Sequence, residues 1–163
     1  MGTRLLLIAL LSSLPLGVAG AQQRSPLDFF GGRAAISSGD GQFYDQRGRY
    51  QGSVRTFGPT TRMYDRRNGM TGSLTQRGRE QSFHDRQGRY TGRATSRRNQ
   101  SRFEDARGGL TGRSMTRGDR TSFYNRHGGY AGQAVTRGNT TYFYDSRGRF
   151  SGTQRSPNSA GRR

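Results

Sequence analysis

The chain has 163 residues, with 28 Arg and no Lys against 10 acids, for a formal net charge of +18. Only 28% of it is apolar, with 26 Gly, no Trp and no Cys. This composition excludes one large conventional core, and the missing Cys excludes disulfides, thiolate metal sites and thiol catalysis. A thin, repetitive sheet stabilised between neighbouring units fits it, as does partial disorder. The 8 Tyr and 9 Phe, most of them at fixed spacing, favour the sheet.

Residues Met1–Ala21 read as a secretory signal peptide. Arg4 supplies the charged start, Leu5–Leu11 opens an apolar run that continues to Leu16, and Ala19-Gly20-Ala21 fits a small-residue cleavage site. The run is short for a membrane span of about 20 residues. Cleavage leaves 27 Arg (28 less Arg4) against 10 acids and a chain starting near Gln22. The protein is expected to be exported: periplasmic, at the cell surface or secreted. Residues Gln22–Asp28 are expected to be loose.

From residue 29 to 153 the sequence repeats every 20 residues without insertion or deletion. One column holds Phe43, Met63, Phe83, Phe103, Phe123 and Phe143. The next two hold Tyr44, Tyr64, His84, Glu104, Tyr124, Tyr144 and then Asp45, Asp65, Asp85, Asp105, Asn125, Asp145. Gly48, Asn68, Gly88, Gly108, Gly128 and Gly148 follow three residues later, and Tyr50, Met70, Tyr90, Leu110, Tyr130 and Phe150 two beyond those. The strictest column is Gly52, Gly72, Gly92, Gly112, Gly132 and Gly152; Phe30 and Gly32 fit a half unit ahead of the first full one.

Each unit reads as a β-hairpin. The run Thr-x-Phe-Tyr is β-prone, and Asp-x-x-Gly is turn chemistry. A second strand follows, and then a second turn at Gly58-Pro59, Gly78-Arg79, Arg98-Asn99, Gly118-Asp119 or Gly138-Asn139. A three-residue loop pairs the second-column Tyr with the later Tyr; a four-residue loop pairs the Phe column with it. Strand alternation puts the invariant Gly on the face of Tyr50, Tyr90 and Tyr130, with an aromatic ring from a neighbouring strand expected over it. The predicted fold is all-β, with tandem hairpins forming a β-solenoid or an extended single-layer meander. Residues 154–163 are expected to form a disordered basic tail.

The pattern of Thr141–Phe150 resembles the YD repeat of secreted Rhs-type proteins and the choline-binding, cell-wall-binding repeat. The run Gly88-Arg89-Tyr90-Thr91-Gly92 resembles the Tyr-x-Gly step of MORN repeats. The resemblance spans about 120 residues and implies a hairpin-repeat architecture. It transfers no ligand residue, since the chain lacks the Trp of choline cages.

No catalytic constellation is legible, so the chain is expected not to be an enzyme and to use no cofactor, metal or small-molecule substrate. The Asp column could suggest calcium, but one carboxylate per turn beside Arg reads as turn capping. His84 and His127 fall in different columns, without partners at ligand spacing. The Arg columns carry the functional expectation. Arg49, Arg89 and Arg149, with Arg77, Arg97, Arg117 and Arg137, are candidates for an anionic polymer: lipopolysaccharide, acidic polysaccharide or cell wall. Extracellular DNA is a further alternative, suggested by Arg107-Gly108-Gly109 and the interleaved aromatics. A rival reading is self-association into a surface matrix through open sheet edges.

Overall fold

The computed structural model describes residues 6–10, 33–37 and 40–157. Leu6–Leu10 (β1) pairs antiparallel with Arg33–Ser37 (β2). The remaining strands form one meander: β3 (Gly41–Asp45), β4 (Tyr50–Phe57), β5 (Thr60–Asp65), β6 (Met70–Arg77), β7 (Glu80–Asp85), β8 (Tyr90–Arg97), β9 (Gln100–Asp105), β10 (Leu110–Arg117), β11 (Arg120–Asn125), β12 (Tyr130–Arg137), β13 (Thr140–Asp145) and β14 (Phe150–Arg155). Each strand pairs with the next, and β14 returns to β3. The fold is an all-β meander of twelve antiparallel strands closed into a barrel.

Closure replaces the solenoid or open meander, and the register explains why. Within a hairpin the Phe column faces the Gly column, as in Phe43↔Gly52. Between hairpins the Gly faces the next Asp, as in Gly52↔Asp65 and Gly72↔Asp85. At the closure Gly152 faces Asp45, the same joint again. On β5, Asp65 faces β4 at Gly52, while Met63, two residues back, faces β6 at Gly72. Each hairpin therefore advances the register by two residues, and six hairpins by twelve, which equals the strand number. Such a stagger tilts the strands by roughly 35–40° and gives a barrel roughly 20 Å across between backbones. No barrel strand keeps an open edge, which removes the premise of edge-to-edge assembly.

A bulge in every hairpin sets which residues point inward. Phe43↔Gly52 is followed by Tyr44↔Tyr50, so Gln51 is an extra residue. The bulge reverses plain alternation: Gly52 is buried against the interior, while Tyr50 stands exposed outside. The two do not share a face, contrary to the sequence expectation. What forbids a side chain at this column is a carbonyl rather than an aromatic ring. A Cβ on Gly52 or Gly92 would overlap the backbone oxygen of Tyr64 or Glu104, and Gly92 also has φ +149°.

The interior is filled in layers. Phe43, Met63, Phe83, Phe103, Phe123 and Phe143 converge from alternate strands as one buried layer. Above it lie Val54, Leu74, Ala94, Ser114, Ala134 and Gln154, all buried. A rim of hydrogen-bonded polar pairs closes the far end: Thr56–Thr61 at 2.9 Å, Gln81–Gln76 at 2.7 Å, Ser96–Ser101 and Thr116–Thr121 at 2.9 Å, and Thr136–Thr141 at 3.0 Å. Each buried large apolar side chain contributes about 1.5–3 kcal/mol. A low apolar fraction suffices here because only one strand face is buried.

The two turns differ in kind. At Asp45-x-x-Gly48 the Asp45 carbonyl accepts from the Gly48 N–H, and the Asp45 N–H donates to the Arg49 carbonyl. Gly48 has φ +74°. This is the three-residue loop, a type I turn followed by a left-handed residue, with Tyr44 opposite Tyr50. The other turns have two residues, and their first residue has positive φ: Gly58 at 56°, Gly78 at 57°, Arg98 at 55°, Gly118 at 60° and Gly138 at 58°. A positive φ at the first position alone is the type II′ hairpin turn, which also admits Pro59 at the second.

The sheet runs through Gln154 and Arg155, which the sequence reading assigns to the tail; Gln154 is buried opposite Phe43. The rest of the tail from residue 158, the cleavage site and Gln22–Asp28 lie outside the described residues. Arg98 is the one non-glycine at the first position of a type II′ turn. Arg98→Gly is expected to raise the thermal midpoint, by about 1 kcal/mol of stability, and Gly92→Ala to lower it by about 2 kcal/mol. Calorimetric melting checks both.

Candidate polyanion interface

The two turn types put the candidate arginines at opposite ends of the barrel. At the Asp end each turn is locked by its own carboxylate. Asp45 Oδ1 accepts the N–H groups of Arg47 and Arg49, both at 2.9 Å, and its Oδ2 accepts Arg49 Nε at 2.8 Å. Asp85 holds Gln87, Arg89 and Arg89 Nε in the same way, and Asp145 holds Arg147, Arg149 and Arg149 Nε. Asn125 keeps the two backbone bonds, from His127 and Gly129, without a charge. The Asp column is thus turn capping. Arg49, Arg89 and Arg149 are each ion-paired inside their own turn, at 2.8, 2.7 and 2.7 Å.

Burial pushes the Asp45, Asp85 and Asp145 carboxyls up. The amide and guanidinium donors of Arg49, Arg89 and Arg149, with the next amides, outweigh it and hold all three below the ordinary carboxylate range.

The opposite rim is different. Arg77, Arg97, Arg117 and Arg137 end successive long strands, one per hairpin, and all are exposed. None forms an ion pair among the described residues. Barrel closure makes this column a ring around one mouth instead of a ladder along an edge. In the first hairpin Phe57 takes the place of the Arg, and the Arg62 guanidinium lies over its ring, 5.4 Å from the centroid.

The outer wall is built of rows running across the strands. One is Arg62–Ser73–His84–Tyr90 and the next Ser82–Arg93–Glu104–Leu110. In the second, Glu104 binds Arg93 at 2.7 Å and Arg102 at 2.9 Å, with Glu80 3.6 Å from Arg93. The Arg93 hydrogen bond holds the Glu104 carboxyl below its usual value. Edge-to-face pairs occupy four other hairpins: Tyr44–Tyr50, His84–Tyr90, Tyr124–Tyr130 and Tyr144–Phe150, with centroids 6.0–6.1 Å apart. His127 Nε2 accepts Arg126 Nε. The wall carries Arg55, Arg62, Arg93, Arg102 and Arg113 while the central interior layer is Phe and Met, the reverse of a lipid-facing barrel. Among the described residues no helix is long and apolar enough to cross a membrane.

The sequence columns do not single out Arg113 or Arg155 as functional, because facing depends on the bulge. Both stand outward: Arg113 beside Tyr124, and Arg155 over the Tyr44 ring at 5.1 Å.

No known protein family and no curated protein matches the chain. Among solved structures, an Arabidopsis thaliana protein is similar at a TM-score of 0.50 and 8% identity, over 72% of this chain and 81% of that one. At that identity the likeness concerns the fold alone.

A carboxyl whose pKa is lowered on folding stabilises the fold above its unfolded value, about 3.9 for Asp, and loses that contribution as pH falls through the folded value. Urea midpoints should therefore drop on acidification below about pH 4. Asp85→Asn, which copies Asn125, should fold and show a shallower acid slope, whereas Asp85→Ala should melt lower at every pH.

Proposed function

We propose that this chain is an exported, non-catalytic protein that binds anionic polymers of the cell envelope or its surroundings. Arg4, the apolar run to Leu16 and Ala19-Gly20-Ala21 support export. The observation that carries the binding reading is the ring of Arg77, Arg97, Arg117 and Arg137: exposed, evenly repeated, and without carboxylate partners among the described residues. Guanidinium forks grip carboxylate, phosphate or sulfate groups in two-point contacts, and a ring of them engages a polymer at several points at once. Arg49, Arg89 and Arg149 contribute less, since their turn aspartates already neutralise them.

The described interior is packed with side chains such as Phe43, Phe83, Leu74 and Val54, whereas the rim arginines stand exposed outside it. Binding strength should fall steeply with salt, as expected when arginines displace counterions from a polyanion.

Co-sedimentation with lipopolysaccharide, isolated cell wall, polygalacturonate and duplex DNA at low and high salt tests the reading. Replacing Arg77, Arg97, Arg117 and Arg137 together by Gln should weaken polyanion binding by about tenfold or more and flatten its salt dependence. Replacing Arg49, Arg89 and Arg149 by Gln should lower the melting temperature and change binding little. Wild-type binding by the rim variant overturns the proposal.

A further inference from the structure

The six hairpins share one frame, but their outward side chains differ, and the differences are concentrated on one side. Three successive rows run from β9 across the closure to β4. The first is Arg102–Arg113–Tyr124–Tyr130. The second is Ser122–Gln133–Tyr144–Phe150. The third is Tyr142–Thr153–Tyr44–Tyr50. Tyr142 is the only aromatic in its column, where the other units have Gln42, Arg62, Ser82, Arg102 and Ser122. It adds a further ring at 6.5 Å from Phe150. The aromatic side chains thus form a half-belt over β11–β14 and, through the seam, β3 and β4.

Three properties of the half-belt define a ligand. Its rings are open: Phe150, Tyr50 and Tyr130 remain 38%, 37% and 43% exposed. Ordinary cross-strand packing would not need that much ring in water. Neutral hydrogen-bonding groups stand beside its rings: Thr153 lies between Tyr142 and Tyr44, and Gln133 between Ser122 and Tyr144. Its charge is sparse and of one sign. Arg102, at the outer end of the first row, is paired with Glu104; Arg113 and Arg155 make no ion pair among the described residues, and none of the residues in the three rows is acidic. The opposite wall carries the single pair His84–Tyr90 and differs in charge, since Glu104 there is bound by Arg93 and Arg102.

We infer that this half-belt is a binding surface for an acidic polysaccharide laid around the barrel. The aromatic faces take the apolar faces of sugar rings, Gln133 and Thr153 take hydroxyls, and Arg113 and Arg155 take the carboxylates. Rings set beside neutral hydrogen-bonding groups match a polymer whose units each offer an apolar face, several hydroxyls and at most one carboxylate. A nucleic acid offers flat bases and a phosphate backbone with few hydroxyls, and calls for denser cationic pairing. The inference rests on the polyanion reading and adds to the arginine rim a second contact face that selects one class of polymer.

The test uses the full chain and isothermal titration with polygalacturonate, neutral dextran, polyphosphate and single-stranded DNA, at low and high salt. The variant combines Tyr142→Ser, Tyr50→Leu and Phe150→Leu, residue types that other repeats already carry in those columns, so the barrel is expected to form; circular dichroism checks it. The expected result is polygalacturonate binding that partly survives high salt and weakens about tenfold or more in the aromatic variant. Polyphosphate binding should be unchanged by that variant. The inference is overturned if the variant binds polygalacturonate like wild type, or if single-stranded DNA binds more tightly through the same aromatics. If polygalacturonate fails while polyphosphate still binds through the rim arginines, only this inference falls. If no polyanion binds, the polyanion reading falls with it.

Discussion

Everything in this molecule hangs on one joint made six times: the glycine of one hairpin set against the aspartate of the next, with Asn125 in its place once. The close approach of a carbonyl at that glycine leaves no room for a side chain, and so fixes where neighbouring hairpins meet. The same joint fixes the stagger, and the stagger fixes the closure. Because the last joint, Gly152 to Asp45, repeats the others, the chain spends no special sequence on sealing itself. Ahead of β3 a contact made elsewhere by a turn is made by a side chain. The residues equivalent to Thr56 donate their N–H to a turn carbonyl, as Gln76 does to Pro59, whereas Thr56 donates to the Asp40 carboxylate.

The joint also explains how so polar a chain holds a core. Each hairpin places one Phe or Met in the central layer and little else of size, and closure turns six modest contributions into one continuous packed interior. The surface is then free to be almost wholly polar. Part of the charge is spent on architecture: Arg49, Arg89 and Arg149 serve their own turns. The arginines of the other mouth and of the outer wall are left to face whatever the protein meets.

Much of the frame is readable from the residues alone. The period, the Asp-x-x-Gly loop and the two-residue turns all follow from local chemistry, and Arg98-Asn99 is the one such turn whose sequence lacks glycine. What is not readable is which way Tyr50 points relative to Gly52, because a single extra residue at position 51 reverses alternation and leaves no signature of its own. Closure is hidden for a related reason. It depends on a two-residue advance per hairpin, a quantity set by pairing between strands rather than by any residue type. The candidate site inherits both gaps. The rim arginines are visible as a column, but their arrangement as a ring is not. The three aromatic rows cross strands from different repeats, and Tyr142 meets Tyr44 in one row only after the ends of the sequence have come together.

The equivalence of the six joints has a consequence for the chain's history and for its engineering. A ring with no distinguished joint has no natural first hairpin. A gene reopened at any two-residue turn, with Arg155 linked back to Gly41, encodes the same set of neighbours in rotated order. Likewise, duplication of one 20-residue unit adds two strands and two residues of stagger together, so the strand tilt is conserved while the girth grows. Such a scaffold changes size in whole steps without renegotiating its geometry, and each added hairpin brings a fresh outward row on which selection can write.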